Sequence, residues 1–568
     1  MKPNVERRLG WFVWFVLGGW LATSFSIAFG QTRNTWPSWG YDTSNTRNAA
    51  QESIITKANV GSLKVKWVFT TAGDVSATPT VDSHAIYFPD WGGYIYKVDK
   101  DTGNLIWKHK VSDYTGIIQP PPDGYVNASL SRNGPALAHN LVIFGDQASA
   151  NVMAVDKRTG NLIWKTLVEP QPLAVITSSP VVYNNVVYLG VSSLEEILAG
   201  SPGYTATFRG SVVALDVNTG NVLWQTYTVP PNAGTPPYYT GGSVWGSTPA
   251  VDPKRNSVYV ATGNNYTVPT SAANCVLGGG GISCLDPADY FDSVLALDLN
   301  TGAIKWSQRV WGPDFFNFNC TVFCDDFDFG SGPNLLRART AEGRQDIVGV
   351  GQKSGIYWAF NPDTGSILWN TSVGPGSAVG GIEWGSATDG KRIYVAISNG
   401  NNVPYPGNPS LGNGGSWAAL DAATGTIRWQ VSTPQNAMGL GAMTVADQVV
   451  FAPSMSGDMV ALDSATGATL WSYHANGSVV AGPAIVNGVV YWGTGYSNLG
   501  LGTGKQSVVC LLDQVIIGKD SAVVVFVNSS QISVQLVIEQ NGRIKKHVGK
   551  STEQEGTDGI DGMDRSDV

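Results

Sequence analysis

Short runs in which apolar and polar positions alternate dominate this chain. Examples are AIYFPD at 85–90, SVYVATG at 257–263, RIYVAIS at 392–398 and VVYWGTG at 489–495. Patterning with a period of two over so few residues predicts half-buried β-strands. A second pattern recurs between such runs. It reads VDKDTGNLIW at 98–107 and VDKRTGNLIW at 155–164, then LDVNTGNVLW at 215–224 and LDLNTGAIKW at 297–306. It returns as FNPDTGSILW at 360–369, LDAATGTIRW at 420–429 and LDSATGATLW at 462–471. In each copy an apolar strand ends at Asp or Asn, whose side chain can accept backbone N–H groups and open a turn. Gly supplies the positive φ that closes the turn. An alternating strand then ends on a Trp large enough to wedge against a neighbouring copy. One hairpin cannot bury that Trp, but stacked copies can. Spacings of roughly 40–80 residues fit four-stranded blades. The pattern therefore predicts an all-β fold, an eight-bladed β-propeller of four-stranded antiparallel blades.

The eighth copy is degenerate and comes first: SLKVKW at 62–67 lacks the Asp and the Thr-Gly. At the other end, AGPAIVNG at 481–488 and VVYWGTG make two strands of a last blade without its outer strand. The prediction is that residues 62–69 supply this strand and close the ring, with SVVCLL at 507–512 as the strand between. The expected organisation is a signal peptide over 1–30, the propeller over 31–513, and a tail outside the repeat over 514–568, partly disordered.

Composition narrows the class. Charged residues are 14% of the chain, Gly numbers 68, Trp 20, and the net charge is −8. Low charge with many turns and aromatics suits an extracellular β protein, and the absence of Lys/Arg blocks argues against a nucleic-acid partner. Lys2, Arg7 and Arg8 precede an apolar stretch that ends in Ala28-Phe29-Gly30 before Gln31. This is the pattern of a secretory signal, so a secreted or periplasmic protein is expected, with no stable membrane span after cleavage; an uncleaved anchor is the alternative. Glycosylation sequons begin at Asn127, Asn265, Asn319, Asn370, Asn476 and Asn528. Of the five cysteines, the close pairs predict disulfides Cys275–Cys284 and Cys320–Cys324 and leave Cys510 over. No CxxCH occurs, so no c-type haem attaches to this chain. Long loops at 114–128, 193–207, 229–243, 268–289, 311–335 and 399–416 are where function is expected to sit.

The repeats resemble those of the pyrroloquinoline quinone (PQQ) propellers, which include enzymes and cofactor-free scaffold proteins. Several loop stretches resemble the active sites of quinoprotein alcohol dehydrogenases, most of all the polyvinyl-alcohol dehydrogenase branch. The resemblance places Arg132, in SRNGPAL, and Thr177, in ITSSPVV, on PQQ carboxylates. It places Ser192 near the cofactor and Glu195 as a calcium ligand, both in GVSSLEE, with Glu196 the alternative ligand. Trp245, in SVWGSTPAVD, becomes the indole under the quinone, and Asn264, in ATGNNY, a second calcium ligand. Asp328, in DFDFGSGPNLL, becomes the catalytic base and third ligand, and Lys353, in GQKSGIYWAF, the cation on the quinone oxygens. These types also make chemical sense on their own. A flat tricarboxylated quinone needs an aromatic plate, cations and hard oxygen donors for a metal.

The resemblance thus implies an oxidoreductase that passes hydride from an alcohol to PQQ, with calcium as Lewis acid and an external electron acceptor. A non-catalytic binding or scaffold propeller is the alternative. Two departures stand out. Ala128-Ser129-Leu130 stands where methanol dehydrogenases have adjacent cysteines, and Gly330 stands where lanthanide-using relatives carry Asp.

Overall fold

A computed structural model describes residues 35–117, 129–405, 412–498, 500–504 and 507–512, and the backbone of a separate hairpin, Leu536–Gln540 paired with Arg543–His547. The expected signal segment, most of the tail, and the sequons at Asn127 and Asn528 lie outside the described residues.

Eight four-stranded antiparallel blades form the ring. Blade 1 takes the strands Thr80–Val81, Ala85–Pro89, Tyr94–Asp99 and Leu105–Lys110. Blades 2 to 7 follow in chain order over 136–169, 181–227, 250–309, 334–372, 387–432 and 444–474. Blade 8 joins the two ends of the ring. Ala484–Val486, Val489–Thr494 and Ser507–Leu512 are completed by the outer strand Lys64–Thr70, antiparallel from Lys64↔Leu512 to Thr70↔Ser507. The closure expected from the degenerate first copy is therefore present.

The repeat motif works as its residues dictate. In blade 1, Asp99 Oδ1 accepts the N–H groups of Asp101 and Thr102 at 3.0 and 2.8 Å and the Thr102 hydroxyl at 2.9 Å. Gly103 then sits at φ 74°. A Cβ there would stand 2.8 Å from the Trp67 ring, so Gly also admits the indole of the preceding blade. Six of these indole N–H groups reach across to the next turn, whereas that of Trp369 is buried without a partner. Trp67 donates to the Lys100 carbonyl at 3.2 Å, Trp107 to Lys157 at 3.1 Å, Trp164 to Val217 at 2.9 Å and Trp224 to Leu299 at 3.0 Å. The Trp wedge thus adds hydrogen bonds across most blade junctions to its packing.

A second repeat lies nearer the axis. Small residues followed by Pro precede many inner strands, as in Thr78-Pro79, Gly134-Pro135, Ser179-Pro180, Thr248-Pro249, Gly332-Pro333 and Gly482-Pro483. They leave room for a segment that fills the axis, residues 36–49. Its backbone bonds Val81, Leu137, Val251, Leu335, Thr388 and Val445 in turn, using Trp36, Pro37, Thr43, Ser44, Thr46 and Arg47. Asn45 donates to the carbonyls of Thr248 and Pro333 at 2.8 and 3.1 Å, and Arg47 to that of Met443 at 2.7 Å. Both side chains are fully buried, so the channel has a floor at this level. Among the described residues no helix is long and apolar enough to cross a membrane.

Both predicted disulfides are present and Cys510 is free and buried. They pin the loops at 268–289 and 311–335, which meet in an apolar cluster of Val276 and Leu285 with Phe315 and Phe323. One sequon is corrected. Asn265 is fully buried and its amide donates to Asp289 at 2.8 Å, which leaves no access for a glycan.

Candidate active site at the channel mouth

Above the floor lies a small cavity. Its wall includes Trp39 from the floor segment, Arg132, Thr177, Gly246 and Trp384, the last four from the short segments that precede inner strands. Most of the predicted site residues assemble along one side of this mouth. Trp245 donates its indole N–H to Asp328 Oδ2 at 2.7 Å. Lys353 Nζ lies 4.9 Å from the Trp245 ring centroid and 2.9 Å from both Asp326 Oδ1 and Asp328 Oδ1. Thr177 holds the Trp245 carbonyl at 2.9 Å. The Arg132 guanidinium stands 5.6 Å from the Trp384 ring and 5.7 Å from Trp91, and its Nε is buried without a partner. Trp384 meets Trp245 edge to face at 5.3 Å. Two indoles and two cations thus face one space.

The Trp245 indole has room here because Gly246 and Gly330 lack side chains. A Cβ on Gly246 would be 2.2 Å from the Gly330 carbonyl, and one on Gly330 would be 2.8 Å from Trp245 and 2.7 Å from Glu383. Asn264 is buried, and its amide N–H groups go to the carbonyls of Phe316 at 2.7 Å and Asn265 at 3.1 Å. That leaves Asn264 Oδ1 as an acceptor.

Glu195 does not join this group. It is fully buried in a short turn, Glu195–Ile197, and its carboxylate accepts from Gln171 at 2.8 Å, Tyr204 at 3.0 Å, and the N–H groups of Thr207 at 2.9 Å and Phe208 at 2.7 Å. It is a structural anchor for the loop. Its neighbour Glu196 faces Lys353, Asp328 and Asn264 instead, because consecutive side chains of a tight turn diverge. Ser192 is buried in register with Val175, and no hydrogen bond or ion pair joins it to the Trp245–Asp328–Lys353 group.

The electrostatics follow from burial. Burial pushes the Glu196 carboxyl up to about 8, against the pull of Lys353 and with help from Asp328. Burial likewise carries Asp326 well above its ordinary range. Lys353 is pushed down by burial, yet the fields of Asp326, Asp328, Glu383 and Glu196 hold it well above an ordinary lysine, so it is charged. Four carboxyls around one ammonium form a site short of positive charge. Asp328 Oδ1 receives no aligned hydrogen bond, although Lys353 lies beside it. Such oxygens suit a hard cation. Among the described residues no trio of His, Cys, Asp or Glu is gathered tightly enough to hold a metal alone. The donor set that fits calcium is therefore two carboxylates, Glu196 and Asp328, with the Asn264 amide oxygen. The indole plate, Arg132 and Lys353 fit a flat polyanion.

Sequence reasoning missed Glu383 and Trp384. A signal existed, since IEWGS at 382–386 echoes VWGS at 244–247, but the two Trp were not compared.

The family profile described as "Glucose/ethanol/alcohol dehydrogenase, beta-propeller domain" matches residues 36–389, and that of "Outer membrane protein assembly factor BamB" matches 413–515. The polyvinylalcohol dehydrogenase of a Pseudomonas species is 31% identical over 82% of this chain and 74% of its own length. That of Sphingopyxis sp. (strain 113P3) is 30% identical over 82% and 73%. In structure, the quinohemoprotein alcohol dehydrogenase of Comamonas testosteroni superposes with a TM-score of 0.67 at 20% identity, covering 88% of this chain and 83% of that one, a likeness of fold. Set beside the geometry of the channel mouth, these matches establish that the chain belongs to the family of PQQ-dependent alcohol dehydrogenases and is an oxidoreductase of that family.

Proposed function

We propose that this protein oxidises an alcohol group with PQQ as the two-electron acceptor and calcium as Lewis acid, and passes the electrons to an external acceptor. The observation that carries the reading is the convergence of Trp245, Trp384, Arg132, Lys353 and a cation-poor set of oxygens on one mouth. When bound, PQQ supplies the oxidising chemistry and calcium the polarisation of its carbonyl. Trp245 offers the face on which a flat ring rests, and Arg132 and Lys353 offer charge to its carboxylates and carbonyl oxygens. Thr177 serves by fixing the Trp245 backbone. Glu196, Asn264 and Asp328 are the oxygen donors for calcium, with Glu196 in the role first expected of Glu195.

Asp328 is the base. Its Oδ2 is held by the Trp245 indole, which leaves Oδ1 to take the alcohol proton. Calcium is favoured over a lanthanide because an Asp at position 330 would drive its Cβ into Trp245 and Glu383. The names of the similar enzymes favour a polymeric secondary alcohol as substrate, and the leader-like residues 1–30 favour export.

The test is reconstitution. Purified protein with added PQQ and calcium should show a bound-quinone spectrum and dye-linked oxidation of alcohols. A protein that binds no PQQ in the presence of calcium would instead be a binding or scaffold propeller.

A further inference from the structure

We infer that Cys320 and Cys324 are positioning residues for the calcium donors: their disulfide closes the loop at 314–328 against those donors, and opening it with a dithiol reductant weakens calcium binding. The inference rests on the calcium reading above. The loop reaches each donor. Its first arm threads between two of them. The Phe316 carbonyl accepts the Asn264 amide at 2.7 Å, and the Phe318 N–H donates to the Glu196 carbonyl at 3.4 Å. The Phe316 carbonyl thereby decides which end of the Asn264 amide is left for a metal. Asn317 and Asn319 staple the same arm on either side, to the carbonyls of Tyr266 at 2.9 Å and Ala199 at 3.0 Å. The second arm ends on the third donor, Asp328.

The two arms are tied at the neck, where the Asp314 carboxylate accepts the N–H groups of Phe316 at 3.1 Å and Phe327 at 2.9 Å. Further out, the Phe315 N–H donates to the Phe323 carbonyl at 2.8 Å. The tip has little core of its own, since Phe318, Asn319, Thr321, Val322 and Asp325 are exposed. Phe323 and Asp326 turn the chain back at φ 58° and 54°, a region that residues with side chains seldom hold unaided. Cys320 and Cys324 bracket the first of these turns, with Cα atoms 5.9 Å apart. Without their bond the tip gains conformers, and the two arms lose their fixed spacing. Both cysteines are half-buried beside exposed residues, within reach of a small reductant. The opening step balances: a dithiol gives two electrons and two protons, each Cys sulfur becomes a thiol, and the reductant closes to its own disulfide. By reciprocity, calcium favours the closed disulfide by the same factor as the disulfide favours calcium.

The experiment titrates calcium into the purified full chain by calorimetry, with and without PQQ. It compares the parent with Cys320→Ser/Cys324→Ser and with Cys275→Ser/Cys284→Ser, which opens the neighbouring loop instead. Thermal melts confirm that each is folded. Cys320→Ser/Cys324→Ser should weaken calcium binding about tenfold, a magnitude usual of coupled sites, and the other pair should leave it near the parent's. The parent is also equilibrated with a dithiol buffer, and its Cys320 and Cys324 thiols are labelled and counted. Saturating calcium should make this disulfide about tenfold harder to reduce, about 30 mV in potential. A disulfide that served stability alone would be indifferent to calcium. Unchanged calcium affinity in folded Cys320→Ser/Cys324→Ser overturns the inference and leaves the functional reading standing, as does an equal loss in both variants. A reduction equilibrium that calcium does not move also overturns it, and decides the matter if a variant does not fold. A parent that binds no calcium under either condition overturns the calcium reading and this inference together.

Discussion

Lys353, Met455 and Trp91 occupy the same turn of three different blades. In each, the residue before it receives a hydrogen bond from the Gly two residues after it, and the flanking strands close at 2.9–3.0 Å: Gln352 with Ile356, Ser454 with Asp458, Asp90 with Tyr94. Yet Lys353 sits among Asp326, Asp328 and Glu196, while Met455 and Trp91 belong to an apolar cluster with Leu130, Leu440, Val480 and Tyr496. One mouth therefore has two halves. Blades 3 to 5 supply charge and oxygen, and blades 7, 8 and 1 supply hydrocarbon and rings. The repeat sets where a side chain points and is indifferent to what it carries. The chemistry resides in one letter per turn and in the long loops on the charged side.

The largest effect should come from the charged half. Asp328→Asn keeps an oxygen and the shape but cannot take a proton, so turnover at saturating PQQ and calcium should fall roughly 10²-fold or more while PQQ still binds. Trp245→Ala should do the reverse and weaken PQQ binding first. Equal turnover of parent and Asp328→Asn would end the assignment of the base.

Exchanging the halves comes next. Met455→Lys would bury an ammonium among apolar side chains, and denaturant unfolding should show a loss of about 3 kcal/mol. A loss under about 1 kcal/mol would mean that the apolar half is wetter than its packing implies.

The adjacent glutamates should then separate. Glu195→Gln should cost about 2 kcal/mol of stability, since a carboxamide cannot accept from both Thr207 and Phe208 as the carboxylate does. Glu196→Gln should leave the melting temperature near the parent's and weaken calcium binding, measured by titration of the metal. The opposite pattern would restore Glu195 as ligand.

The smallest effect should lie in the frame. Trp164→Phe removes the hydrogen bond to Val217 and should cost about 1 kcal/mol in chemical denaturation, with no change in PQQ affinity.

The fold was legible because the motif repeats, and even the closure could be read from a strand with a Trp but no turn. Arg132, Trp245, Asp328 and Lys353 were legible because their loops retain recognisable neighbours. Glu195 and Glu196 could not be told apart. A tight turn sends adjacent side chains opposite ways, and composition is blind to which one the loop consumes. Asp326 and Glu383 acquire meaning only from the fold, which brings residues far apart in sequence to one axis. The segment at 36–49 was silent for a related reason. It has no period, since its bonding residues turn to six different blades in succession.

That segment has a consequence for timing. A ring with a filled axis is a well, entered and left by one opening. Whatever binds deepest must arrive first, and later arrivals cap it. The organic cofactor would thus be loaded once and stay for the life of the protein. The alcohol and its oxidised product would queue at the same doorway, one guest at a time.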